Sequence, residues 1–290
     1  MSFHSITYEV DDRVATITLN RPDRLNAIDL SMPAEIAAAV ELANSDRGVH
    51  VIVVSGAGRA FCAGYDLQAF AEIAGTGGTQ GAARSEDGAE LPWDPMLDFT
   101  MMHRNTIDFM SLWRSHKPTI AKVRGYAVAG GSDIALCCDL VVIAEDAMIG
   151  YPPARVWGCP TTAMWAYRIG AERAKRMLFT GDLITGREAA DIGLVLEAVP
   201  PDDLDARVAQ IADRVKGVPR NQLMMQKLMV NHAIEAMGLN QTQVLATLFD
   251  GITRHTPEGE WFKRRAEEVG FKQAVRERDS GENIAQGWSR

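Results

Sequence analysis

The sequence predicts an α/β fold with a largely buried sheet, followed by an all-helical C-terminal region. Three observations carry this expectation. Short β-type runs alternate with helical spacing through residues 1–200. The run Val51 to Val54 is continuously apolar, as a strand covered on both faces requires. From Asp202 onward only long amphipathic helical patterns remain.

Taken in order, Ile6 to Val10 and Val14 to Leu19 alternate in polarity around Asp11-Asp12, the pattern of a β-hairpin. Pro33 to Ala43 has helical spacing and leads to the buried strand at Val51. Thr119 to Val123, Leu140 to Ala144 and Leu194 to Val199 are further β-type runs, with helical segments at Asp133 to Cys138 and Ala171 to Phe179 between them. The tail reads as helices over roughly Asp202 to Val215, Gln222 to Met237, Gln241 to Arg254 and Glu258 to Arg278. A core over 1–200 and a helical region over 201–290 follow. The small, polar stretch 74–95 lacks periodicity and exceeds an ordinary connection, so it reads as a mobile loop, either a lid over a site or a surface insertion.

The chain has 290 residues, 47% of them hydrophobic and 23% charged, which excludes a disordered or collagenous protein. Thirty Lys and Arg against 38 Asp and Glu give a formal charge of −8, so nothing global attracts nucleic acid or an anionic membrane. Cys62, Cys137, Cys138 and Cys159 form neither a metal pattern nor a disulfide framework. With no signal-peptide pattern at Met1-Ser-Phe-His and no membrane-length apolar run, a reduced cytoplasm is expected.

Several familiar motifs fail on inspection. Gly56-Ala-Gly58-Arg-Ala-Phe61 follows a strand, but Phe61 stands at the sixth position of a dinucleotide fingerprint and Cys-Ala-Gly follows where a helix should open. Gly75 to Gly81 lacks the Gly-Lys-Ser/Thr of a phosphate loop. The six histidines are scattered, and Ser132 has Ile134 where a nucleophile elbow needs glycine.

Two segments carry more. In Arg59-Ala-Phe-Cys-Ala-Gly64-Tyr65-Asp66-Leu67 a glycine can turn the chain so that a neighbouring N–H points into a pocket. In Gly125 to Asp139 a β-type approach meets Gly130-Gly131 and then a helix, whose first N–H groups lack intrahelical partners and suit developing negative charge. Either alone is common; the pair in this order is specific.

Together these segments resemble the crotonase, or enoyl-CoA hydratase/isomerase, superfamily. The resemblance extends through Leu19-Asn-Arg-Pro-Asp-Arg-Leu-Asn-Ala, Leu178 to Ala189 and Gly193-Leu-Val, and so covers nearly all of the chain. It implies a spiral of ββα units with a helical C-terminal trimerisation region, coenzyme A thioesters as substrates, and no cofactor beyond the coenzyme A of the substrate. It also implies that the N–H groups of Tyr65 and Gly130 bind the thioester oxygen, where preorganised donors stabilise an enolate as its charge develops.

The family's hydratases carry two glutamates. The first position here is Asp133, a shorter carboxylate and the expected catalytic residue; the second is Pro153, which can neither give nor take a side-chain proton. An aspartate at the first position also resembles the dienoyl-CoA isomerase branch, whose further acids would fall at Pro153 and Thr161. Tyr151, or Asp94 or Glu90 from the loop, are the substitute acids to consider. Coenzyme A phosphates need local cations: the resemblance places coenzyme A binding at Arg24, Ala63 and Lys263, with Arg21 and Arg264-Arg265 alongside. The expectation is therefore an enoyl-CoA hydratase-like lyase of fatty acid metabolism, assembled as a homotrimer or dimer of trimers and needing no metal, nucleic acid or membrane. Another acyl-CoA isomerase, decarboxylase or hydrolase, or a non-catalytic acyl-CoA-binding protein, is the alternative.

Overall fold

A computed structural model describes residues 3–66, 82–84 and 90–280, with the backbone alone for 82–84 and 90–93. The hairpin forms as its alternation requires: β1 (Ile6–Asp11) pairs antiparallel with β2 (Val14–Leu19), Ile6 opposite Leu19. Ala15, Ile17 and Leu19 face the core while their neighbours stay partly exposed, the period-two pattern of a strand with one covered face. Helix α1 (Met32–Ser45) buries Met32, Ile36, Ala39, Val40 and Ala43. Strand β3 (Val51–Gly56) then lies parallel to β2 with Val51 to Ser55 buried, so its apolar run is a strand covered on both faces.

The segment expected to be a featureless loop contains structure. Short strands β4 (Ala82–Arg84) and β5 (Glu90–Trp93) pair antiparallel. Immediately after them, α2 (Pro95–Arg114), a helix absent from the sequence expectation, buries Met102, Thr106, Phe109, Met110 and Trp113. The rest of the expected loop lies outside the described residues. Strands β6 (Thr119–Val123) and β7 (Tyr126–Val128) lead to α3 (Gly130–Leu136); β8 (Leu140–Ala144) and β9 (Met148–Gly150) lead, through a 3-10 turn at Pro152–Arg155, to α4 (Met164–Thr180). Gly170, with φ 74° and ψ 171°, interrupts α4, so the helix expected at Ala171 to Phe179 is the second part of a longer element.

Strand β10 (Leu183–Thr185), helix α5 (Gly186–Asp191) and strand β11 (Glu197–Val199) complete the layered part. One sheet has the order β1-β2-β3-β6-β8-β11, parallel from β2 onward, and a second has the order β10-β9-β7. Two successive chain turns, β6-β7-α3 and β8-β9-α4, each give one strand to each sheet and then a helix, the ββα unit that the family resemblance implies.

The tail forms α6 (Leu204–Lys216), α7 (Arg220–Ala236), α8 (Leu239–Thr253), α9 (Pro257–Val269) and α10 (Phe271–Asp279). The single helix expected over Glu258 to Arg278 is two, because Gly270 at φ 83° leaves the helical region and caps the first. Among the described residues, no helix is long and apolar enough to cross a membrane.

Buried polar groups tie this tail to the layers. Lys227 Nζ on α7 donates to the Leu112 carbonyl at 2.9 Å and the Lys117 carbonyl at 3.0 Å, and pairs with Asp139 at 2.8 Å. With its side chain only 5% exposed, this ammonium is desolvated and needs all three acceptors. Lys227→Met is expected to lower stability by about 3 kcal/mol, since it removes the counter-charge of Asp139 and a donor from each of two carbonyls. Denaturant midpoints at fixed m-value measure it; a change within the range of an ordinary surface substitution would contradict this assignment.

Candidate active site

Two isolated bridges draw the Cys62 to Asp66 segment between the first and third turns of the spiral: Ile28 pairs with Tyr65, and Cys62 with Ala127. Ile28 N–H donates to the Gly64 carbonyl at 2.8 Å, Asp66 N–H to the Ile28 carbonyl at 2.9 Å, and Val128 N–H to the Cys62 carbonyl at 3.0 Å. The segment therefore extends the second sheet and lies against the start of α3. Gly64 has φ 92°, and a Cβ there would sit 2.9 Å from Ala129 Cβ and 3.6 Å from the Gly130 nitrogen. A Cβ on Gly131 would approach the Cys62 carbonyl oxygen to 2.2 Å. The glycines of both sequence segments thus exist because the two backbones meet, and the structure brings Tyr65 and Gly130 together: the Tyr65 ring lies across the Gly130 Cα.

Ala129 makes the turn from β7 into α3 with φ 53° and ψ −125°, a conformation unfavourable for a residue with a Cβ. Its N–H donates to the Gly150 carbonyl, while its carbonyl accepts the Ser132 and Asp133 N–H groups and the Ser132 hydroxyl. Ser132 is thereby a backbone-bonded turn residue. Gly130 opens the helix, so its peptide N–H has no intrahelical acceptor.

Asp133, 3% exposed, stands in the first turn of this helix. Its Oδ1 accepts a 2.5 Å hydrogen bond from Thr162 Oγ1. Burial drives its pKa up to about 8, with the Asp250 charge adding to the rise and the Thr162 bond opposing it. At neutral pH the group is chiefly a carboxylic acid with one oxygen able to give a proton and the other able to take one. The phenols of Tyr65 and Tyr151 are pushed up by burial and by the Asp133 and Asp250 charges, as is the half-buried thiol of Cys159. Tyr65 Oη also accepts from Asn105 Nδ2 at 3.4 Å.

The other expected residues fall as follows. Tyr151 is buried near Asp133, with its hydroxyl donating to the Cys159 carbonyl at 3.0 Å. Pro153 begins no acid-bearing element; it packs against Gly158 in the 3-10 turn. Asp94 is the N-cap of α2, accepting the Met96 N–H at 2.8 Å, and Glu90 lies in β5 with its side chain outside the described residues. Arg21 is taken up by Asp66 at 3.0 Å and Asp29 at 3.3 Å, which makes it part of the frame under the Cys62 to Asp66 segment. Arg24 is exposed at the end of a 3-10 turn, and the Ala63 N–H donates to the Leu25 carbonyl at 3.1 Å. Lys263 lies on α9 near His255, and Arg265 pairs with Glu277 and Glu268. Among the described residues, no group of three or more His, Cys, Asp or Glu could hold a metal ion.

Sequence reasoning missed Thr162, Asn105, the buried Asp98 and Asp250, and the partly buried Arg254. Thr161-Thr162, 28 and 29 residues beyond Asp133, offer no spacing rule, and Asp250 with Arg254 reads simply as an i,i+4 pair on a helix surface.

The proton held by Asp133 links to stability. Unfolded aspartate ionises near pH 4, whereas folded Asp133 ionises at about 8, so between these values the folded chain binds one more proton. Stability from this group is full below the first value and falls as pH rises through the window, by at most about 1.4 kcal/mol per pH unit. Asp133→Asn is expected to abolish that fall, and urea unfolding of both proteins between about pH 5 and pH 8 measures it. Parallel pH curves would contradict the burial of a neutral acid here.

The comparisons with known proteins accord with this geometry. The family model described as enoyl-CoA hydratase/isomerase matches residues 9–92 and 95–266. A putative enoyl-CoA hydratase EchA13 of Mycobacterium tuberculosis is 33% identical over 261 residues, 82% of this chain and 77% of that protein. Among solved structures, an enoyl-CoA hydratase of Mycobacterium smegmatis superposes with a TM-score of 0.87 at 50% identity, covering 96% of this chain and 94% of that one. An enoyl-CoA hydratase/isomerase of Xanthobacter autotrophicus Py2 gives 0.86 at 31% identity, covering 98% and 100%. With its ββα spiral, its paired glycine turns and these relatives, the chain belongs to the enoyl-CoA hydratase/isomerase family of the crotonase superfamily.

Proposed function

We propose that the protein catalyses the reversible addition of water to an enoyl-CoA thioester, with the N–H groups of Tyr65 and Gly130 holding the thioester oxygen and Asp133 moving protons. The observation that supports this reading is the contact of the Gly64 turn with the start of α3, the helix whose first turn bears the buried Asp133. Water forms a C–O bond at the β-carbon, and the C=C pair moves toward the carbonyl to give an enolate. The two peptide dipoles meet the oxygen charge as it develops, each worth roughly 3 to 4 kcal/mol in such sites. Asp133 gives its proton to the α-carbon and recovers one from the attacking water, so a single acid closes the cycle. This proton chemistry calls for no redox group.

Arg24, the Ala63 backbone and Lys263 are the proposed contacts for coenzyme A, whose phosphates a chain of charge −8 must meet with local cations. The apolar residues Met225, Met229 and Val230 of α7 and Leu245 and Phe249 of α8 are exposed in the single chain. Their exposure supports an assembly that covers them, proposed as a trimer or dimer of trimers. A second reaction class, migration of a double bond in an acyl-CoA, is favoured by Pro153: one acid suffices to move a proton between two carbons, and the usual second carboxylate is missing.

Loss of the conjugated-enoyl ultraviolet absorbance of crotonyl-CoA measures hydration. Turnover is expected, with Asp133→Asn slower by roughly 10² or more and Asp133→Glu with Pro153→Glu faster than Asp133→Glu alone. Full activity in Asp133→Asn would overturn the role of the acid. Turnover of a 3-enoyl-CoA with none of crotonyl-CoA would replace hydration by isomerisation.

A further inference from the structure

We propose that Asp250, held by Arg254 and through it by Asp98, is a positioning residue that fixes the Cys159 to Thr162 segment, and with it the Thr162 hydroxyl on Asp133, from the C-terminal helix, and that its charge acts on Asp133 from there. This rests on the acid role proposed for Asp133.

The path is continuous and buried. Asp98 on α2 pairs through Oδ1 with Arg254 Nη2 at 2.6 Å, and Arg254 Nη1 pairs with Asp250 Oδ2 at 2.7 Å. Asp250 Oδ1 then accepts the Cys159 N–H at 2.9 Å. Three residues on, Gln243 Nε2, also on α8, donates to the Thr162 carbonyl at 2.9 Å. Thr106 of α2 donates to the Thr161 hydroxyl at 2.7 Å. The segment bearing Thr162, whose hydroxyl grips Asp133, is therefore held at Cys159, Thr161 and Thr162 by side chains of α2 and α8. Asp98, Asp250 and Gln243 are each 2–3% exposed, so these bonds work in a poorly screened interior.

The arrangement has an electrostatic consequence. Two carboxylates face one guanidinium; within this network Asp250 acts on Asp133, Tyr151 and Cys159, and Tyr65 feels both Asp250 and, in the opposite sense, Arg254. An anion there opposes ionisation of Asp133 and favours the proton-bearing form that can deliver to carbon. The other titratable groups facing Asp133 are the phenols of Tyr65 and Tyr151 and the thiols of Cys137 and Cys159, all held neutral by burial. On the far side of the network are His255, whose imidazole lies 3.9 Å from Asp98 and 3.8 Å from Glu260, and Lys263 beside it.

The test is a thermodynamic cycle that needs no substrate. The stability difference between the wild type and Asp133→Asn, measured by urea unfolding across pH, isolates the ionisation of Asp133; the same difference is measured again in an Asp250→Asn background. Asparagine leaves an oxygen for the Cys159 N–H and removes the charge. The Asp133 midpoint is expected to fall by about one pH unit or more, and the matching limb of the pH–rate profile to move with it. An unmoved midpoint overturns the proposal. Should Asp250→Asn fail to fold, Asp98→Asn carries the same test, since it leaves Arg254 to neutralise Asp250 alone: a downward midpoint supports the proposal and an unchanged one overturns it. Asp250→Ala, which also abandons the Cys159 N–H, is expected to speed amide exchange at Cys159 by tenfold or more, and unchanged protection would overturn the positioning role. Because the cycle uses no thioester, a protein that hydrates nothing yet shows the shift contradicts the proposed reaction and leaves this assignment standing.

Discussion

The site depends on one steric constraint: the Cys62 to Asp66 backbone and the Ala129 to Gly131 turn lie too close for side chains to stand between them. At Gly131 a single added carbon would penetrate the Cys62 carbonyl, and at Gly64 it would meet Ala129 on a backbone already in the left-handed region. These contacts follow from the spiral, because Ile28, Cys62, Tyr65 and Ala127 continue a sheet whose regular members are β7, β9 and β10. The bridges that close one turn of the spiral on another therefore bring the Tyr65 segment against the Gly130 turn. Arg21 supports the same approach from below, tying Asp29 to Asp66 across the first turn.

Burial gives Asp133 a proton affinity unlike that of an ordinary aspartate. Burial beside Thr162 deprives the carboxylate of water, so the neutral form is preferred until well above the ordinary aspartate range. Such a group is costly to ionise. Thr162 gives its Oδ1 a hydrogen-bond donor, and Arg254 pairs the nearby carboxylates of Asp98 and Asp250. The departure from a two-carboxylate pattern at Pro153 then changes the question from which second acid replaces it to whether one well-held acid is enough.

Much of this was legible before any coordinates. The hairpin, the two-sided strand at Val51 and the helical tail follow from periodicity alone, and the glycine pair pointed to the backbone site because no side chain could substitute for those glycines. Helix α2 escaped because its apolar residues are diluted by polar ones along a mixed face, although Asp94-Pro95 is an N-cap followed by the residue best tolerated at the first helical position. The break at Gly270 was hidden by continuous amphipathic spacing on both sides of one glycine. Asp98, Asp250 and Arg254 could not be read as a buried cluster, because charged residues on helices are usually solvated and only the packing of α8 on α2 removes them from water.

The central claim is that two peptide N–H groups, from Tyr65 and Gly130, polarise a thioester carbonyl beside a protonated Asp133. Its most direct test is the infrared difference spectrum of crotonyl-CoA, ¹³C-labelled at the thioester carbonyl, bound to Asp133→Asn so that turnover does not consume it. The account predicts a carbonyl band displaced to lower wavenumber than that of the free thioester, because two hydrogen bonds weaken the C=O bond. A saturated complex whose carbonyl band coincides with that of the free thioester would contradict it.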